Sequence, residues 1–335
     1  MNIYNALQLL TALVLASAAM PDPVVSPVSF DKLVHKVDYE IPSGLNATQF
    51  DTDGTSAFIV SEDSYTVHKF NIETGNRVAS VGREGNGPGE FSDKILRINV
   101  IDRHVYVFSG RTIHIFDIDL NYINRHVTKY LSMGIRRLID GNHILCTMMV
   151  GDIPEPKSSY NMTVVKQHTF DQPDHTTFKL GTEMENHGLS QCHIATNKTM
   201  VAATQIGARN VRFHNMAGDL RKRVPVNLAT KDLHYMNIFQ PEVVTNIYKN
   251  MGYTDFRVPM GMHISNLQMG ETYTLVQGGT TAEFMMRSVA IIEHGTWRVH
   301  YDVLPAECGN NRLVGNRLIC MVSHEKSQYF AVYEL

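Results

Sequence analysis

Short β-rich runs, a near absence of helical periodicity after residue 40, and a pattern returning about every 40–50 residues predict an all-β chain. That period matches a six-bladed β-propeller of four-stranded antiparallel blades, its ring closed by an N-terminal strand. The chain has 335 residues, 43% of them hydrophobic and 19% charged, enough for a sizeable core. Wholesale disorder, a polytopic membrane protein, collagen, a coiled coil and a disulfide-dense mini-protein are excluded on these grounds. A formal charge of −3 gives no global attraction to nucleic acid or to an anionic membrane.

The elements follow in order. Leu7–Ala18 is an uncharged apolar run of signal-peptide length, ending in small residues and followed by Pro21-Asp22-Pro23. Residues 1–20 are therefore read as a signal peptide, although Met1 to Ala6 carry no Lys or Arg; an ordinary buried N-terminal helix is the alternative. An exported, periplasmic or extracellular mature chain follows, with no transmembrane span. Residues 24–335 form one expected domain, since no linker rich in Gly, Pro and Ser divides them.

Ser29 to Glu40 alternates as a strand and is the candidate for closing the ring, which would remove the open sheet edges. Six later segments share one form: a mixed strand, a short polar or Gly turn, then an apolar strand. They begin at Asn46, Leu96, Ile135, Cys192, Ile264 and Asn310, with second strands centred near Phe58, Val105, Ile144, Val201, Tyr273 and Leu318. The last is followed only by Tyr329 to Tyr333, one strand short of a blade, which is what an N-terminal strand would supply. The region from about 227 to 262 breaks the rhythm. Within it, Pro241 to Gly252 has apolar residues at helical spacing, so a short amphipathic helix inserted between blades is expected.

Four cysteines occur, with no CxxC pair, so a thiolate zinc site is improbable. Cys308 and Cys320 bracket a turn-containing strand pair. A disulfide between them and buried free thiols are both compatible with that spacing. Sequons at Asn46, Asn161 and Asn197 are no more than so Asn-rich a chain would show by chance.

The most distinctive segment is Gly82-Arg83-Glu84-Gly85-Asn86-Gly87-Pro88-Gly89-Glu90-Phe91. Gly82, Gly85, Gly87, Pro88 and Gly89 let the backbone turn sharply between blades, and Phe91 can anchor the crossing in the core. No helix or Lys-Ser/Thr follows, which argues against a phosphate cradle. This segment, continued through Val105–Phe108 and Ile113–Asp117, resembles an NHL repeat. The whole chain looks like the six-bladed, TolB-like propellers common among exported bacterial proteins. The likeness is strong over about residues 55–125 and elsewhere is one of rhythm. Two departures stand out: the usual Pro-x-Gly-Ile-Ala inner strand reads Ile95 to Asn99, and Ser109 replaces the usual acid after the second strand.

Aligning the blades on their second strands puts Arg97, Arg136, His193, Ser265 and Asn310 at one inner-strand level, bordering the central channel. Such residues can equally bind backbone carbonyls or channel water. Arg97, Arg136 and His193 are the candidate ligand-binding residues, suited to an anionic or carbonyl-bearing ligand. No HExxH, GxSxG or paired-carboxylate spacing occurs, so no catalytic residue is assigned. Trp297 is expected to pack between blades. The expected function is non-enzymatic binding of a small ligand or protein partner at the channel face, by a monomer without a cofactor. The alternative, implied by the resemblance, is a metal-dependent lyase or hydrolase at the channel mouth, often with calcium; its metal ligands are unassigned.

Overall fold

In the computed structural model the described residues are 30, 32–40, 47–61, 65–127, 132–137, 143–148, 161–166, 178–179, 192–197, 199–205, 210–215, 218–226, 263–279, 288–305, 308–324 and 327–335. The signal-peptide reading of residues 1–20 and the helical insertion at 227–262 lie outside them. Every element described is a strand, and no described helix is long and apolar enough to cross a membrane.

Strand β1 (Leu33–Asp38) precedes a first blade of β2 (Ala47–Thr52), β3 (Ser56–Ser61), β4 (Val67–Asn71) and β5 (Arg77–Val81). A second blade comprises β6 (Ile95–Ile101), β7 (His104–Ser109), β8 (Thr112–Asp117) and β9 (Tyr122–Val127). The third has β10 (Ser132–Arg137), β11 (His143–Met148), β12 (Asn161–Lys166) and β13 (Phe178–Lys179). The fourth has β14 (Cys192–Thr196), β15 (Val201–Gln205), β16 (Asn210–His214) and β17 (Leu220–Pro225). The fifth has β18 (His263–Met269), β19 (Tyr273–Gly279), β20 (Ser288–Glu293) and β21 (Val299–Val303). The chain ends in β22 (Asn310–Val314), β23 (Arg317–His324) and β24 (Ser327–Glu334).

These strands form an all-β propeller of four-stranded antiparallel blades. Five sheets are each built from four consecutive strands, and a further four-stranded sheet is composite, in the order β1-β24-β23-β22. Innermost strands lie side by side around the ring: β2 with β6, β6 with β10, β10 with β14, β14 with β18, β18 with β22, and β22 with β2.

Where burial is described, the middle strands are buried on both faces because each blade is sandwiched between two others. On β3, Ala57 and Ile59 pack toward the closing blade, while Phe58 and Val60 pack toward the second blade. Such strands read as unbroken apolar runs rather than clean alternation. Trp297 packs against a cluster shared by the fourth and fifth blades, its ring centroid 4.8 Å from that of Phe213.

Closure by the N-terminus is built as a strand with an anchor at each end. Strand β1 pairs antiparallel with β24, from Leu33 opposite Tyr333 to Asp38 opposite Tyr329. Phe30 is buried between the fifth and closing blades, and Tyr39 between the closing and first blades. The Tyr39 ring stacks on Phe330 at 4.4 Å, and its hydroxyl donates to the Val322 carbonyl at 3.0 Å. Burial raises the Tyr39 pKa, offset in part by a hydrogen bond with Ser323. Cys308 and Cys320 are joined by a disulfide inside the cluster between the fifth and closing blades.

The Gly82–Phe91 segment links the first blade to the second. The Phe91 amide donates to the Arg83 carbonyl at 2.9 Å, and the Gly85 amide to the Phe91 carbonyl at 3.1 Å. At its centre the Glu90 carboxylate accepts from the Gly87 amide at 2.7 Å and from Arg83 Nε at 2.6 Å; the amide and then Arg83 hold its pKa down. Gly82 has φ +104°, and a Cβ there would overlap the Phe91 ring and the Tyr65 carbonyl, so a side chain is excluded twice over. Ser109, in place of an acid, is fully buried and accepts from the Asp93 amide at 3.2 Å while donating to the Asp93 carbonyl.

Candidate functional site

The inner strands leave a cavity of about 460 Å³ where their hairpin turns converge. Its described wall comes from β2, β6, β14, β18 and β22 and the turns that follow them. A polar layer lies at its base. Asp51 of β2 reaches into the second blade, where Oδ2 accepts from the Val100 amide at 2.8 Å and from Asn99 Nδ2 at 3.3 Å. Its other oxygen, Oδ1, accepts from Arg312 Nε at 3.0 Å. One carboxylate thus ties three blades together, with side-chain exposures of 13% for Asp51 and 26% for Arg312.

Gln268 repeats the device one joint away. Its Oε1 accepts from the Leu313 amide at 2.5 Å, and Nε2 donates to Asn311 Oδ1 at 2.7 Å. Asn311 in turn donates to Gln277 Oε1 at 3.1 Å and to the Cys308 carbonyl at 2.8 Å. Polar side chains at this depth therefore satisfy the backbone amides of the neighbouring inner strand, which the ring geometry leaves without a ladder partner.

Arg312 is oriented by three contacts. Nε is held by Asp51, Nη1 donates to the Asn311 carbonyl at 2.8 Å, and the guanidinium carbon lies 5.1 Å from the Phe50 ring centroid. Nη2 has no hydrogen-bond partner among the described residues. Arg97 also lines the cavity. Burial lowers its pKa, the Arg312 charge lowers it further, and Asp51 opposes both. Two guanidiniums, which stay protonated in proteins, act on one carboxylate, so the described part of the layer carries a net positive charge. The described turns differ: Asp53, Asp102, Arg103 and Glu271 line the cavity there. Asp102 and Arg103 take positive φ, 48° and 62°, an unusual conformation for two consecutive non-glycine residues.

Of the three residues expected to bind a ligand, Arg97 faces this cavity. His193 on β14 pairs with Thr204 on β15, and the wall at β14 is formed by Ala195, Thr196 and Asn197 instead. Arg136 on β10 pairs with Leu145 on β11, and its side chain lies outside the described residues. The shared level also changes at Ser265. Strands β2, β6 and β18 each carry the same one-residue irregularity, between Ala47 and Gln49, Ile95 and Arg97, and Ile264 and Asn266. Asn266, not Ser265, is therefore the counterpart of Arg97, since each is the first paired residue after the irregularity on its strand. Asp51 and Arg312 were not singled out by the sequence; the available signal, for Arg312 alone, was a charge followed by apolar Leu313-Val314 before the Gly315 turn.

Among the described residues, no group of three or more His, Cys, Asp and Glu side chains is placed to hold a metal ion. The best-buried carboxylate of the cavity does not fit a calcium site, since both Asp51 oxygens are engaged by Arg312, Val100 and Asn99. Asn197, in a sequon, donates its side-chain amide to the Gly270 carbonyl of the next blade at 3.2 Å.

No protein-family model matches the chain, and no curated protein matches it. Solved structures do. The chain is similar to a Bacteroides fragilis protein described as exported, with 12% identity, TM-score 0.58, and 92% of this chain and 96% of the other covered. It is also similar to a DUF4221-family member from Bacteroides vulgatus, with 7% identity, TM-score 0.61, and coverage of 90% and 98%. At such identities the likeness is one of fold.

Proposed function

We propose that this chain is an exported, non-enzymatic six-bladed propeller of the NHL-repeat, TolB-like type that binds an anionic or carbonyl-bearing ligand at its channel mouth through Arg97 and Arg312. The observation that carries the reading is the Arg312 guanidinium, fixed on three sides with Nη2 directed to no described partner, beside a second arginine in a cavity of about 460 Å³. Preorganised guanidinium donors recognise carboxylate and phosphate oxygens in planar, charge-assisted pairs. Six blades are supported by the number of four-stranded sheets and by the unbroken succession of neighbouring inner strands. Export is supported by the apolar run within residues 1–20 and by a disulfide of the kind oxidising compartments maintain. A structurally similar Bacteroides fragilis protein is also described as exported.

The test is a thermal-shift screen of the full chain against a panel of small carboxylates and phosphates. Wild type, Arg97→Gln and Arg312→Lys are compared, the last keeping the charge beside Asp51 but losing the planar fork. Hits that vanish in Arg97→Gln and weaken in Arg312→Lys, with unchanged circular dichroism, support the site. Retention of every hit by both folded variants overturns it.

A further inference from the structure

The outer strand of a blade presents a row of backbone groups at a sheet edge, and soluble proteins blunt such edges with charge, proline or bulges. Strands β1, β5, β9 and β17 are blunted in this way. Each pairs with a register irregularity. They also carry Lys36, Arg77, Arg125 and the Arg221-Lys222-Arg223 run, respectively. Among the outer strands described over five residues or more, β21 alone has none of these devices. Its sequence, Val299-His300-Tyr301-Asp302-Val303, holds no Lys, Arg or Pro. It pairs with β20 in unbroken register, from Ser288 opposite Val303 to Ile292 opposite Val299. Tyr301 and Val303 nonetheless stand 47% and 46% exposed.

The backbone directions along β21 follow from the bond at its start, where the Arg298 carbonyl accepts from the Glu293 amide at 3.0 Å. Hydrogen-bonded and non-hydrogen-bonded pairs alternate along an antiparallel ladder. His300 and Asp302 therefore turn their backbone groups to β20, and Val299, Tyr301 and Val303 turn theirs outward. The Val303 amide agrees with this, donating not to β20 but to Asp302 Oδ1 at 2.7 Å.

That outward edge is complementary to itself. Antiparallel pairing about a two-fold axis at Tyr301 sets Tyr301 against Tyr301, Val299 against Val303 and His300 against Asp302 of a second copy. The outward residues supply about six backbone hydrogen bonds, two for each pair they form. Aromatic, apolar and unlike polar pairs are each favourable across strands. Pairing hands the Val303 amide to the Val299 carbonyl of the copy and leaves Asp302 Oδ1 facing His300, while Oδ2 stays on the Phe30 amide at 3.1 Å. The order that matches this edge is the one the chain itself carries. We infer that two copies associate through β21, joining their fifth blades into one continuous sheet, in place of the monomer expected from the sequence. One short strand makes a small contact, so the dissociation constant is on the order of 10–100 µM.

The experiment is sedimentation velocity of the full chain over roughly 1–300 µM, a span that brackets that constant. Wild type is expected to shift from one chain to two. A residue on the two-fold axis meets its own copy, so Tyr301→Lys and Tyr301→Glu should each abolish the shift, while their equimolar mixture restores it. Loss of a merely structural contact would not be cured by mixing two defective chains. Val303→Pro removes an outward amide without touching the β20 ladder and should weaken association about tenfold; it decides the matter alone if a Tyr301 variant does not fold. Wild type that stays a single chain throughout overturns the inference, as does binding of a foreign extended peptide at β21 without self-association. Undiminished pairing by Tyr301→Lys or Val303→Pro overturns it as well, and so does a mixture of folded Tyr301 variants that stays monomeric.

Discussion

His114 makes the stability of the second blade depend on pH. It sits on β8, 1% exposed, opposite Arg125 on β9, and neither ring nitrogen has a hydrogen-bond partner among the described residues. Its ring meets Phe91 edge-on at 4.7 Å, so the anchor of the glycine-rich link rests on an uncharged imidazole. Burial, and then the nearby Arg125 charge, push its pKa down to about 4 from the ordinary 6.5. A base whose folded pKa is lowered binds fewer protons folded than unfolded between these values, so stability rises with pH across that window. The contribution is intact above about pH 6.5 and is lost progressively as pH falls toward 4.

The magnitude follows from the two pKa values. At pH 5 the linkage amounts to about 2 kcal/mol, and its limit below pH 4 is about 3 kcal/mol. His214 and His294, whose pKa values burial also lowers, add to the same trend, so the wild-type slope alone cannot isolate His114. The variant His114→Phe keeps an aromatic edge against Phe91 and removes the titration. Urea midpoints at pH 7.5, 6.5, 5.5 and 5.0 should show wild type losing about 2 kcal/mol more than the variant over that range. A wild-type-minus-variant difference that stays constant from pH 7.5 to 5.0 would refute the assignment of an uncharged, unpaired His114.

Three further outcomes are expected. Asp51→Ala should destabilise by about 3–5 kcal/mol, because it strands Arg312 beside Arg97 and leaves the Val100 amide unsatisfied, whereas Asp51→Asn should cost less; chemical denaturation of both variants checks the order. Replacing Cys308 and Cys320 together by Ala should lower stability by about 2–4 kcal/mol, and added reductant should then have no further effect on the melting curve. Removing residues 24–45 deletes β1 with Phe30 and Tyr39, exposing the edge of β24; loss of the cooperative transition is expected, and a truncated chain melting like the intact one would contradict closure.

The rhythm of the fold was legible because it is written in the most buried strands. Phe58, Val105, Ile144, Val201, Tyr273 and Leu318, picked from the sequence as second-strand centres, fall on β3, β7, β11, β15, β19 and β23. Each is a second strand from the channel, and burial on both faces demands an apolar run there. The strand missing from the last blade was legible for the same reason, as a deficit in the count. The site was not legible in the same way. Its central ion pair joins positions 51 and 312, a separation of 261 residues that only ring closure brings together, and no spacing rule spans it. The level assignment failed at Ser265 because Tyr273 is not the counterpart of Val105: Val105 pairs with Val100, three residues after Arg97, whereas Thr274 pairs with Met269, three residues after Asn266.

The residues that orient the proposed receptor are also those that hold the ring shut. Asp51 and Arg312 cross the joint between the first and closing blades, the joint whose outer part is sealed by Tyr39 stacked on Phe330 and packed 5.3 Å from Phe70. A propeller joint has no continuous backbone ladder across it, so side-chain clasps and interblade packing must fix the spacing of the inner strands. The Arg312 fork is therefore placed no more accurately than that joint is closed. A ligand spanning Arg97 on the second blade and Arg312 on the closing blade would bridge both sides of the first blade, adding contacts only the closed ring can make. Binding and closure are then linked by mass action, and a ligand that fits the channel mouth must raise the stability of the ring by RT ln(1 + L/Kd), with L the free ligand concentration.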